Sequence, residues 1–126
     1  MSLHFRQLPP REQWYWSGMR IRLGLHTDEP RLFDHYEAVG AWLHEHGLVT
    51  PWSVADRFAR LLLDTAEDAS LPPHWRMLCL DRLHGPLEHL ACLRATEADC
   101  RHVEALRRRL ARIECPSAEE PPPAAD

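Results

Sequence analysis

Gly47-Leu48-Val49-Thr50, followed at once by Pro51, limits more than any other feature what this chain can fold into. Glycine accepts the left-handed backbone that closes many helices. Threonine followed by proline marks a helix start. The hydroxyl accepts an otherwise orphaned amide, and proline fills a first position whose own amide needs no partner. Only Leu48 and Val49 separate the two signals, so the flanking segments form a tight helical hairpin or corner.

Periodicity fills in both arms of that corner. Upstream, Leu32, Tyr36, Val39 and Leu43 recur at helical spacing with Phe33 and Gly40 alongside, and the helix begins between Asp28 and Arg31. Downstream, Val54, Phe58, Leu61, Leu62 and Thr65 make a buried stripe while Asp56, Arg57, Arg60 and Asp64 face out. Residues 66–71 connect to a third helix opened by Pro72 or Pro73, with Trp75, Leu78, Cys79 and Leu83 as its apolar positions. Gly85-Pro86 is expected to break or kink it, because proline lacks an amide and crowds the preceding turn. Leu87, Leu90 and Leu93 continue the pattern beyond. Thr96 with Asp99 resembles a capping box, followed by Val103, Leu106, Leu110 and Ile113 at three-four spacing.

The two ends read differently. Pro9-Pro10, the aromatic run Trp14-Tyr15-Trp16 and the alternation of Met19 to Leu25 predict an extended aromatic arm over residues 1–27. Such an arm either packs on its own helices or lies across another subunit. From Pro116 onward the composition is low in complexity and predicts disorder. The fold class is therefore all-α: four to five helices in a bundle-like domain over 28–114, with an extended arm before it and a disordered tail over 115–126. A chain of 126 residues supports one modest core.

Composition excludes more than it selects. The net charge of -4 gives no electrostatic case for nucleic acid. No apolar run is long enough to span a bilayer and no signal peptide is visible, so the expectation is a cytoplasmic protein without a membrane partner. The four cysteines, Cys79, Cys92, Cys100 and Cys115, have neither metal-ligand nor framework spacing. Buried packing is the reading for Cys79, and exposure for Cys115. All 15 basic residues are arginine. Either a GC-rich coding sequence or a preference for the planar guanidinium fork at an interface accounts for that.

No catalytic residue or metal site of the chain's own emerges. His44 and His46 diverge on a helix, and His84 and His89 share a face poorly, whereas a structural metal wants three or four convergent ligands. The aromatic residues carry the stronger signal. The 5 tryptophans exceed what one modest core needs. Trp14, Trp16 and Trp52, on the arm or at a helix start, read as a partner interface. Trp42 and Trp75 read as core.

The stretch from Phe33 to Trp75 resembles the helical N-terminal region of the nitrile hydratase β subunit. The same region forms the small β subunit of thiocyanate hydrolase and occurs in the family's small activator proteins. The likeness rests on Gly47-Leu48-Val49-Thr50, on Pro72-Pro73-His74-Trp75 and on the helix start at Thr96-Glu97-Ala98-Asp99, and covers residues 28–113. It implies a non-catalytic subunit or accessory protein of a cobalt or iron enzyme that hydrates nitriles to amides, a lyase. The metal would sit in a Cys-x-x-Cys-Ser-Cys claw on the α subunit, acting as a Lewis acid. That claw is absent here, so the resemblance implies no cofactor bound by this chain and a claw-carrying α subunit as its partner. It also implies an arginine whose hydrogen bonds hold the oxidised claw, a role the guanidinium fork suits. Arg57 is the nearest match, although Ala55 stands at the strict equivalent, and an ordinary exposed helix arginine is the other reading. The family's tyrosine pair before His-Trp is replaced by Pro72-Pro73, and its glycine-rich opening and C-terminal barrel are missing. A stand-alone small subunit or activator fits better than a full β chain. The competing class is a helical interaction adaptor with no enzymatic connection.

Overall fold

The computed structural model describes residues 8–114. The tail expected to be disordered, and Cys115 within it, lie outside the described residues, as do residues 1–7 of the expected arm. Five helices follow one another: α1 (Pro10–Leu23), α2 (Arg31–Glu45), α3 (Pro51–Ala66), α4 (Pro73–Leu93) and α5 (Glu97–Glu114). There is no strand among the described residues. The fold is all-α and bundle-like, and α3 is its spine, packing against each of the other four helices.

The corner between α2 and α3 forms as its sequence dictates. Gly47 takes φ +71. Its amide donates to His44 and the Leu48 amide to Leu43, the paired bonds of a Schellman cap. Thr50 then accepts from the Ser53 amide at 3.0 Å and Pro51 opens α3. On α3, Phe58 and Leu62 are buried as expected, and so are Ala55, Ala59, Leu63 and Ala66. The small alanines let neighbouring helices approach closely, a role that apolar counting overlooks.

The extended arm is corrected to a helix over Pro10–Leu23. Pro10 occupies the first helical position, so the proline pair starts the helix where a break was expected. The buried face of α1 is Trp14, Ser17, Gly18 and Ile21, a three-four pattern in which two members are small and not apolar. Their smallness is the packing device. A Cβ on Gly18 would lie 3.1 Å from the Tyr36 ring, and one on Gly40 would lie 3.2 Å from both Trp14 and Val54. Ring therefore packs on backbone in both directions between α1 and α2. Gly24, at φ +62, closes the helix with amide bonds from itself and Leu25 to Ile21 and Arg20.

Pro86 does not break α4, which runs on to Leu93. The residue before a proline suffers chiefly through its Cβ, and here it is Gly85. Trp75, Cys79, Leu83, Leu87 and Leu90 stay on one buried stripe across the lost backbone bond, with Pro86 itself buried. Trp75 is fully buried, as expected, against Phe33 at 4.8 Å, and its indole donates to the Ile21 carbonyl at 3.0 Å. Trp42 is corrected from core to surface. It is 41% exposed and stacks on His46 at 3.7 Å, held by the hydrogen bond between that imidazole and the Trp42 carbonyl. The box at the start of α5 closes as expected, with Thr96 Oγ1 accepting from the Asp99 amide and Asp99 accepting from the Thr96 amide.

Candidate functional site

Two grooves run along α3, one on each side, and Tyr36 borders both. Its ring packs on Phe58 at 5.2 Å and on Trp14 at 5.6 Å, which fixes it between them. Burial pushes the Tyr36 hydroxyl up to about 12 against the opposing pull of Arg57 and Arg60. The phenol therefore stays neutral.

The first groove, about 460 Å³, lies between α2 and α4 with α3 as its floor. Val54, Ala55 and Phe58 form that floor, and Glu37, His44, Arg82 and His89 stand around it. Arg82 bridges its walls, donating to Asp34 at 2.7 Å and approaching Glu37 at 3.6 Å, with its guanidinium 5.3 Å from the Phe33 ring. Partial burial raises the Glu37 carboxyl above the ordinary range while Arg82 pulls it back.

The second groove, about 340 Å³, lies between α1 and α3 and is lined by Trp14, Tyr15, Met19, Arg22, Arg57 and Arg60 among others. Arg22 is neutralised by Asp68 at 2.7 Å and Arg60 by Asp56 at 3.1 Å. Asp64 on the rim is taken by Arg109 at 2.8 Å. That leaves Arg57, exposed, with its guanidinium 5.2 Å over the Trp14 ring and no carboxylate partner among the described residues. The cation–π contact with the indole holds the exposed guanidinium in place. An anion or a carboxylate is what that geometry accepts.

The expected interface tryptophans separate in the structure. Trp14 is buried at 4% exposure, so it supports Arg57 from below and offers no surface of its own. Trp52 is half-buried and lies 5.9 Å from the His102 ring on α5, which covers it. Trp16 is 49% exposed and meets the exposed Tyr15 edge-to-face at 5.2 Å. Of the three, only Trp16 is exposed, and the neighbouring Tyr15 is exposed with it.

Among the described residues no group of three or more His, Cys, Asp or Glu side chains is placed to hold a metal ion. Burial pushes the Cys79 thiol up to about 12, which keeps it protonated and inert. Cys92 and Cys100 are free and exposed. No helix among the described residues is long and apolar enough to cross a membrane. Comparison with family models, with curated proteins and with solved structures finds no match.

Proposed function

We propose that this chain is a non-catalytic helical subunit or accessory protein of a nitrile-hydratase-like cobalt or iron enzyme, docking on the subunit that carries the Cys-x-x-Cys-Ser-Cys claw. One observation carries the reading: exposed Arg57 lies over the Trp14 indole, without a carboxylate among the described residues, in a groove that the exposed ring of Tyr15 also lines. A guanidinium so placed suits the oxygens of an oxidised cysteine on a partner, which accept hydrogen bonds in pairs. The likeness of the Gly47–Thr50 corner and the His74-Trp75 helix start to the β-subunit pattern supplies the family. Ala55, at the family's strict arginine position, is buried in the floor of the other groove. Arg57 is therefore the residue of α3 suited to the role.

Co-expression with a claw-carrying subunit tests the reading. Stable co-purification with active enzyme identifies a subunit, and a requirement confined to metal loading identifies an activator. Substituting Arg57→Ala lowers turnover without dissociating the complex if the guanidinium supports the claw. Unchanged turnover removes that assignment. Absence of both binding and activation removes the enzymatic reading and leaves the adaptor.

A further inference from the structure

The groove between α2 and α4, about 460 Å³, falls in the usual size range of small-molecule sites, roughly 300–1,000 Å³. Its apolar surface is Val54, Ala55 and Phe58 on α3, Pro51 at the start of that helix, and Ala41 on α2. Two acceptors interrupt this surface, and neither is fully served from within the chain. The first is Glu37. Arg82 is shared between two carboxylates, and Asp34 at 2.7 Å holds it more closely than Glu37 does at 3.6 Å. Burial raises the Glu37 carboxyl in spite of that guanidinium, and Asp34 adds to the rise. Two carboxylates on one cation leave one negative charge over.

The second acceptor belongs to the backbone. Pro86, inside α4, has no amide to give the Arg82 carbonyl four residues back. Gly85 beside it has no side chain to cover the gap, and a Cβ there would meet nothing within 4 Å. Arg82, Gly85 and Pro86 all line the groove, so α4 bares a carbonyl on the face that borders it. We propose that this groove binds a small organic cation, a primary ammonium carried on a flat apolar body. The body lies on Val54, Ala55 and Phe58, and the ammonium donates to the Glu37 carboxylate and the Arg82 carbonyl. An ammonium has three donors and no acceptor, which matches two acceptors and one uncompensated negative charge. A carboxylate ligand would meet Glu37 with like charge and leave the Arg82 carbonyl without a donor. The site lies across α3 from Arg57 and asks nothing of it.

The test is a nitrogen-15 NMR titration of the full chain at about pH 8, where ordinary imidazoles are neutral and an alkylamine is charged. The probes are tryptamine, its alcohol analogue tryptophol and its acid analogue indole-3-propionate. Tryptamine should shift the amides of Ala41, Val54 and Gly85 and bind at least about fivefold more tightly than tryptophol, with the acid weakest. E37Q should lose that preference while still binding tryptophol, which reports an intact groove. P86A returns an amide to the Arg82 carbonyl without harming the helix, and should weaken tryptamine roughly threefold or more. Equal affinities for tryptamine and tryptophol in the parent chain overturn the proposal, as do shifts confined to another face. An E37Q chain that keeps the preference, or a P86A chain with unchanged tryptamine affinity, also overturns it. None of these readouts needs the metal-carrying partner, so this proposal and the proposed function fail separately.

Discussion

α1 and α5 flank the same helix and hold it by different means. α1 meets its neighbours through rings seated on glycine backbone: Trp14 against Gly40, and Tyr36 against Gly18. α5 lays a narrow seam of Val103, Leu106 and Leu110 and edges it with polar contacts, a hydrogen bond between His102 and Asp56 and ion pairs from Arg109 to Asp64 and Glu67. Close approach of large rings is unforgiving of change. A thin seam with rim ion pairs tolerates more, since exposed pairs contribute little each. The groove with Arg57 sits on the α1 side, where rings meet backbone most closely.

The sharpest way to break that contrast is Trp14→Ala, expected to cost about 3–5 kcal/mol in denaturant unfolding, the usual range for a buried aromatic truncation. Leu106→Ala comes next at about 2–3 kcal/mol, the lower part of the large-to-alanine range, because an edge helix settles into the space. Should Leu106→Ala prove the costlier of the two, α1 is a loosely held arm after all. Arg109→Ala should remove only about 0.5–1 kcal/mol and do so less at high salt. A loss well above that, independent of salt, would mean that the ions and not the seam hold α5.

The smallest effect concerns the end of α1. Hydrogen bonds from Ser70, then the Arg22 guanidinium, hold the Asp68 carboxyl down at about 2. An unfolded aspartate titrates near 4, so the folded state keeps the charge at lower pH. Its contribution is therefore complete above about pH 4 and disappears as pH falls towards about 2. Melting temperature measured across that window should fall less steeply for Asp68→Asn than for the parent. Identical slopes would show that the Arg22 tie adds nothing.

The α2–α3 corner was legible because its signals are local: a glycine for the left-handed cap, a threonine hydroxyl and a proline for the start. The stripes of α2, α3 and α5 followed from three-four spacing of apolar residues. α1 escaped because half its buried face is Ser17 and Gly18, whose contribution is the space they leave. Proline misled twice in the same way. Pro10 and Pro86 both sit where the lost amide or the pre-proline clash is harmless. In the candidate site, the outward position of Arg57, Arg60 and Asp64 was readable from periodicity. That Trp14 would lie beneath Arg57 depended on α1 folding back along α3, a long-range contact with no local signature.

Whether α1 belongs to the domain without a partner decides between a preformed docking face and an arm that another subunit must cover. Amide hydrogen exchange of the isolated chain measures this directly. Protection over Trp14–Ile21 should match that of Phe58–Leu63 on α3. Rapid exchange over Trp14–Ile21 in the isolated chain, with α3 still protected, would contradict it.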